Sequence, residues 1–183
     1  VWLGDFHPEL MTILSVFGHN DAIERSLNFA EADAPLPSWI NGSSAYSLWW
    51  LLCQRDFYLY RGNLDYLKMR QPYMKELLKQ VCSHVDNKGQ EHLDGFRFLD
   101  WPTFEMTDVI ASGMRSLCYM ALNAGAEMER VLGDDDMVTM CRQAADRLRR
   151  RPLPNYGNKE AAALRVISGL SKGTTDRDVL LKG

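Results

Sequence analysis

Three observations predict an all-α fold of helical hairpins that makes up part of a closed toroid. Apolar residues recur at three- and four-residue intervals along most of the chain. Each periodic run is closed by glycine or proline and reopened within a few residues by an Asn, Asp or Ser suited to cap a helix, so consecutive helices double back on each other. No stretch shows a convincing two-residue alternation, which excludes a sheet. The hairpins differ in length and share no 34- or 40-residue signature, as stacked repeats would, and uneven hairpins with aromatic loops suit a ring. A six-hairpin ring needs about 350–400 residues. The 183 residues present therefore read as one all-helical domain, residues 1–183, that is an incomplete barrel with an open apolar edge.

Val1–Glu9 reads as a loop entering a helix, with Pro8 and Glu9 in its first turn. Leu10, Ile13, Leu14 and Phe17 form its apolar stripe, and Gly18 stops it. Asn20 or Asp21 caps a second helix carrying Ile23, Leu27 and Ala30, which completes a first hairpin. Pro35 and Pro37 break the pattern, and Trp39, Asn41 and Gly42 follow in a loop. Ser43 or Ser44 caps a third helix whose stripe is Tyr46, Trp49, Trp50, Cys53, Phe57 and Tyr60, ending at Gly62. Its return partner opens at Asn63, breaks near Pro72, and resumes through Met74, Leu77, Leu78, Val81 and Val85. After a turn at residues 86–89 and a central loop, a long helix carries Val109, Ile110, Met114, Leu117, Ala121, Met128 and Val131 to Gly133. Asp134 caps its partner, with Met137, Cys141, Ala144 and Leu148. Pro152 and Pro154 end that block. Asn158 caps a helix with Ala162, Leu164, Ile167 and Leu170, and 176–181 begin another element.

Composition narrows the function. With 21 basic and 24 acidic residues the net charge is −3, which offers no long-range attraction to nucleic acid or to an anionic membrane surface. The cluster Arg147, Arg149, Arg150 and Arg151 falls in a last helical turn, and Asp134–Asp136 in a first one, so both complement helix dipoles. Cys53, Cys82, Cys118 and Cys141 are far apart and read as small buried hydrophobes; the four histidines have no zinc-type spacing, so no metal or other cofactor is implied. His7, before Pro8 and Glu9, reads as a helix-entry residue rather than a proton shuttle. No signal peptide, membrane span, phosphate loop or nucleophile elbow is visible. The chain starts at Val1, inside a motif, and a true N-terminus is expected upstream; the compartment stays open between cytoplasm and periplasm or exterior.

The central loop Phe96–Thr103 carries no helical period and sets Asp100 beside Trp101, with Arg97 three residues before the carboxylate. These are the parts of a carbohydrate subsite. An indole face covers the apolar face of a sugar, while charged groups in the ring plane meet its hydroxyls. The alternative is a loop whose aromatics plug the core and whose Arg97 and Asp100 pair with each other.

Three stretches taken in order are similar to one family. Val1-Trp2-Leu3-Gly4-Asp5 resembles the end of the acid-bearing motif of bacterial α-L-rhamnosidases, glycoside hydrolase family 78; Leu99-Asp100-Trp101-Pro102 resembles that family's Asp-Trp loop; and Asn158-Lys159-Glu160-Ala161-Ala162-Ala163-Leu164 resembles its later Asn-Lys block. The segment Trp49–Leu67, with Tyr58, Tyr60, Gly62 and Asp65, fits the intervening pattern. The resemblance implies an (α/α)6 toroid, the six-hairpin glycosidase fold, that hydrolyses terminal α-L-rhamnosides with inversion. Inversion needs an acid and a base roughly 6.5–9.5 Å apart. By the same resemblance the general acid is expected before Val1 and the general base after Gly183, so neither catalytic residue is expected in this chain.

What the resemblance implies for this chain is the wall that holds the sugar: Trp2, Asp5, Asp100 and Trp101, with Trp39 or Trp50 as a further aromatic face, the spacing not settling which of Trp39, Trp49 and Trp50 lines the pocket. Rhamnose carries a methyl where other hexoses carry a hydroxymethyl, and an apolar pocket favours it. The expected partners are a rhamnose-containing oligosaccharide or glycoside, and the missing remainder of the barrel or a second copy. The competing reading is a non-catalytic interaction scaffold in which the same tryptophans serve as core or partner surface. Convergence of Trp2, Asp5, Asp100 and Trp101 on one concave mouth separates the two.

Overall fold

Side-chain caps open four helices where the sequence places them. Asn20 accepts from the Ala22 N–H (2.8 Å), Asn63 from Tyr66 (3.0 Å), Asp134 from Met137 (3.0 Å) and Asn158 from Ala161 (3.0 Å). Each such cap contributes about 1 kcal/mol by satisfying an end-of-helix N–H. The computed structural model describes residues 2–18 and 20–182; Val1 of the first motif, His19 and Gly183 lie outside them. Among the described residues the helices are α1 (Leu3–Phe17), α2 (Asp21–Ala32), α3 (Ser44–Arg61), α4 (Leu64–Ser83), α5 (Thr107–Leu132), α6 (Asp135–Arg149), α7 (Lys159–Ser168) and α8 (Thr175–Leu181). Single 3-10 turns lie at Ile40–Gly42 and Trp101–Thr103. The described residues form no strand, only isolated bridges such as Ser43 to Gly95. The all-α architecture of helical hairpins is the one expected.

Connections of two residues after α3 and α5 force the chain to reverse, so α4 and α6 return along their predecessors. The odd-numbered helices pack in succession, α1 on α3, α3 on α5 and α5 on α7; α6 covers α5, α8 covers α7, and α4 bridges α3, α5 and α6. The core lies between these rows and is filled by Leu48, Leu51, Leu67, Met74, Leu78, Met114, Leu117 and Leu122, all fully buried. Aromatic pairs lock the α3–α4 seam: Trp50 meets Tyr73 edge-on at 5.2 Å, and Phe57 meets Tyr66 at 5.3 Å.

Four local expectations change. α1 begins at Leu3 rather than at Pro8, because Leu3 and Phe6 extend the Leu10–Leu14 stripe by two turns and are buried with it. That burial outweighs a proline inside the helix, which costs about 3 kcal/mol. α4 runs unbroken through Pro72, whose ring is exposed while Tyr66, Leu67, Met74 and Leu77 anchor both sides of it. α1 and α2 do not close into a tight hairpin; a cleft of about 360 Å³ separates them, and α2 instead rests on α3, where Leu27 accepts the Trp50 indole N–H at 3.1 Å. Finally, Phe17, Tyr60, Val131 and Ile167, placed on apolar stripes by the sequence, are exposed because each lies near the C-terminal end of its helix, past its packed partner.

The 84–106 connection is long and mostly irregular, yet it is pinned throughout. Asp86 accepts backbone N–H groups from Lys88 (2.9 Å) and Gln90 (2.8 Å) and bonds His92 at 3.0 Å. Those bonds, the Gln90 N–H first, pull its carboxyl down to about 2. Further along, the Phe96 N–H reaches the Gly42 carbonyl (2.9 Å), and the Ser43 hydroxyl donates to the Phe96 carbonyl (2.7 Å). The loop is thereby held against the start of α3.

Candidate carbohydrate site

A hollow of about 830 Å³ opens where the first turn of α1, the start of α3, the central loop and α7 meet. Its size is that of a small-molecule site. Two close approaches shape it. Gly4 in α1 lies against the ring of Tyr46 in α3, where a Cβ would stand 2.7 Å from a ring carbon; at Gly113 in α5 a Cβ would stand 2.2 Å from Leu99 of the loop. A side chain at either position would push a wall of the hollow outward.

The wall is a chain of ring-edge contacts. Trp2 meets Tyr46 at 6.1 Å, Tyr46 meets Phe98 at 6.4 Å, Phe98 meets Trp101 at 5.1 Å, and Phe96 stacks on Phe98 at 5.3 Å. Phe98 is buried as the floor, while Trp2 and Trp101 stand 63% and 75% exposed at the rim. Trp101 is held at its backbone: its N–H donates to its neighbour's carboxylate, Asp100 Oδ1, at 2.8 Å, and the Asp100 carbonyl accepts from the N–H and hydroxyl of the buried Thr103. The indole, met edge-on by Phe98 and at a tilt by Phe104 (6.2 Å), keeps most of its surface exposed.

Asp5, Asp100 and Glu160 are the carboxylates around the hollow. Burial, and then the nearby Asp5 charge, push the Tyr46 phenol above its ordinary value, so it remains a hydrogen-bond donor at neutral pH. Trp49 closes the inner side, lying 5.0 Å from His7. His7 is in turn fixed by Asp56 at 2.8 Å, and Asp56 also takes Arg55 at 2.8 Å. Asn41 sits at the opposite lip in a left-handed conformation (φ 52°) that asparagine tolerates better than most residues. The arrangement offers apolar faces, ring-plane acceptors and a donor, which together suit a polyhydroxylated ring.

Of the residues singled out in the sequence, Trp2, Asp5, Asp100 and Trp101 line this one hollow. The other two aromatics do not. Trp50 is fully buried in α3 with its N–H on the Leu27 carbonyl, and Trp39 is 8% exposed with its N–H on Asp94 at 2.6 Å. Both are packed inside the fold, and Trp49, one residue before Trp50 and so about 100° around the helix, lines the hollow instead. Arg97 turns away from the hollow and pairs with Glu91, not with Asp100. Tyr46 was legible only as part of an apolar stripe and Asn41 only as a loop residue, while the spacing left open which of Trp39, Trp49 and Trp50 lines a pocket. The signal available for Tyr46 and Trp49 was their place in the first two turns of α3, beside the loop that carries Gly42. The Asn158–Leu164 block brings Glu160, Ala163 and Leu164 to the same place, so all three sequence motifs meet here.

No protein-family model and no curated protein matches the sequence. Among solved structures the chain is similar to the crystal structure of a GH78 family rhamnosidase of Bacillus sp. GL1, with a TM-score of 0.76 and 19% sequence identity over 97% of this chain. The chain spans 22% of the length of that protein. At this identity the likeness is one of fold: the eight helices follow the helical architecture of part of that rhamnosidase.

Proposed function

We propose that this chain forms the sugar-holding wall of a glycoside hydrolase domain of the α-L-rhamnosidase type, acting on terminal α-L-rhamnosides with inversion. The observation that carries this reading is the convergence of Trp2, Asp5, Asp100 and Trp101 on one aromatic hollow. An interaction scaffold would leave those side chains on separate faces. The exposed indole of Trp101 covers the sugar's apolar face, Asp5 and Asp100 accept from its hydroxyls, and the Phe98 floor receives the C6 methyl. In this reading the two groups that move protons, an acid for the leaving oxygen and a base for water, come from segments beyond these residues.

The test is titration of intrinsic tryptophan fluorescence with L-rhamnose. Saturable quenching or blue shift is expected in this chain and a reduced response in Asp100→Asn, with no release of rhamnose from an aryl rhamnoside by the chain alone. Losing a hydrogen bond to a charged acceptor weakens binding by about 1.5–3 kcal/mol, or roughly tenfold to hundredfold. An unchanged spectrum at high millimolar rhamnose sinks the assignment.

A further inference from the structure

A second cavity of about 210 Å³, which shares no lining residue with the aromatic hollow, is lined by Glu91, Arg97, Asp108, Arg115, Arg151 and Tyr156 among others. At about 30 Å³ per water this is room for roughly seven waters. Arg115, on α5, is only 4% exposed. It donates one terminal N–H to the Arg151 carbonyl, and its Nε has no hydrogen-bond partner. The adjacent carboxylate does not reach it: Glu91 takes Arg97 on one oxygen and the Leu93 N–H (3.1 Å) on the other. Arg97 likewise leaves its own Nε without a partner.

A guanidinium stays charged at any ordinary pH, and a buried charge without a counter-ion is costly. Glu91 is hydrogen-bonded to Arg97, which leaves Arg115 near the Glu91 and Asp86 charges but in ion-pair contact with neither, and the lining, with Glu91 and Asp108 against Arg97, Arg115 and Arg151, carries a net excess of one positive charge. Tyr156 stands at this cavity in a left-handed backbone conformation (φ 53°), an unfavourable one for so large a side chain.

We propose that this cavity binds a small tetrahedral oxyanion, inorganic phosphate or sulfate, between the guanidinium groups of Arg115 and Arg151. Planar forks approaching from α5 and from the α6–α7 connection meet a tetrahedral anion on different edges, which a planar carboxylate cannot match as well. The site is independent of the carbohydrate reading, since none of its residues lines the aromatic hollow.

The experiment is thermal unfolding of the full chain in sodium phosphate, sulfate, acetate and chloride at equal ionic strength. Phosphate or sulfate at about a hundred times its Kd is expected to raise Tm by about 5–10 °C, with saturation. Arg115→Gln removes the effect. That residue is buried, so Arg151→Gln serves as the second variant: its side chain is exposed and its carbonyl, which Arg115 needs, is kept. It is expected to weaken the apparent Kd at least about tenfold. Three results overturn the proposal: a rise that does not saturate, which is the general salting effect of these ions; a rise of equal size with acetate; or a saturable rise undiminished in Arg151→Gln.

Discussion

Tryptophan is put to opposite uses at the core and at the rim. Trp50 and Trp39 are sealed, and in each the indole N–H meets a protein oxygen, the Leu27 carbonyl or the Asp94 carboxylate. Trp2 and Trp101 are held by other rings, Tyr46 for the first and Phe98 and Phe104 for the second, and present most of their surface outward. Trp49 and Trp50 show how little separates the two uses. They are consecutive in α3, yet a rotation of about 100° per residue sends one into the core against Tyr73 and the other to the hollow against His7. An indole whose N–H and ring are both satisfied by the fold is structure, and one whose ring alone is steadied remains available to a ligand.

The strongest way to break this contrast is Trp50→Ala. Truncating a fully buried tryptophan costs about 3–5 kcal/mol, and the indole bond to the Leu27 carbonyl is lost as well. Against a total stability of about 5–15 kcal/mol, the variant is expected to unfold at far lower urea than the parent. A loss below about 1 kcal/mol would mean that the seam between α2, α3 and α4 is not where the fold is held.

Trp101→Ala sharpens the same contrast from the other side. At 75% exposure its removal is expected to change stability by no more than about 0.5 kcal/mol. Rhamnose binding is expected to weaken about tenfold, the equivalent of about 1.4 kcal/mol. Urea unfolding and fluorescence titration on one preparation read both quantities. A variant that unfolds early while still binding the sugar would reverse the roles given to rim and core.

The helices were legible in the sequence because their information is local. Caps at Asn20, Asn63, Asp134 and Asn158, and glycines at 18, 62 and 133 with positive φ, mark their ends without reference to the rest of the chain; Gly169 ends α7 in the same way, although the apolar stripe was read through it to Leu170. Pro8 and Pro72 misled for the same reason. Their local cost is real, but burial of Leu3 and Phe6, or of Tyr66 and Met74, comes from other helices and outweighs it. The site was half legible. Trp2, Asp5, Asp100 and Trp101 lie in loops or first turns, where a charged or aromatic residue is not obliged to serve a stripe. Tyr46 and Trp49 sit on a stripe and could not be told from core, and Trp50 could not be told from them. Arg97 was read with Asp100, its neighbour in sequence, whereas its partner is the buried Glu91.

The smallest expected effect concerns the support behind Trp49. His7 lies under the indole and is fixed by Asp56, a buried carboxylate that also takes Arg55. Burial raises the Asp56 pKa, but the bonds from His7 and Arg55 and their charges outweigh it and hold the group below its ordinary 3.8. A carboxyl depressed by folding stabilises the fold above its unfolded value, and that contribution is lost as pH falls through the folded one. The difference in urea midpoint between the parent and Asp56→Asn is therefore expected to shrink as pH drops below 3.8. Because the pair underlies Trp49 and not Trp50, the variant should also loosen rhamnose binding more than its modest loss of stability suggests. A difference that grows as pH falls through the carboxylate range, below about 5, would show that burial, not His7 and Arg55, sets the titration of Asp56, and that the rim is braced by something other than this pair.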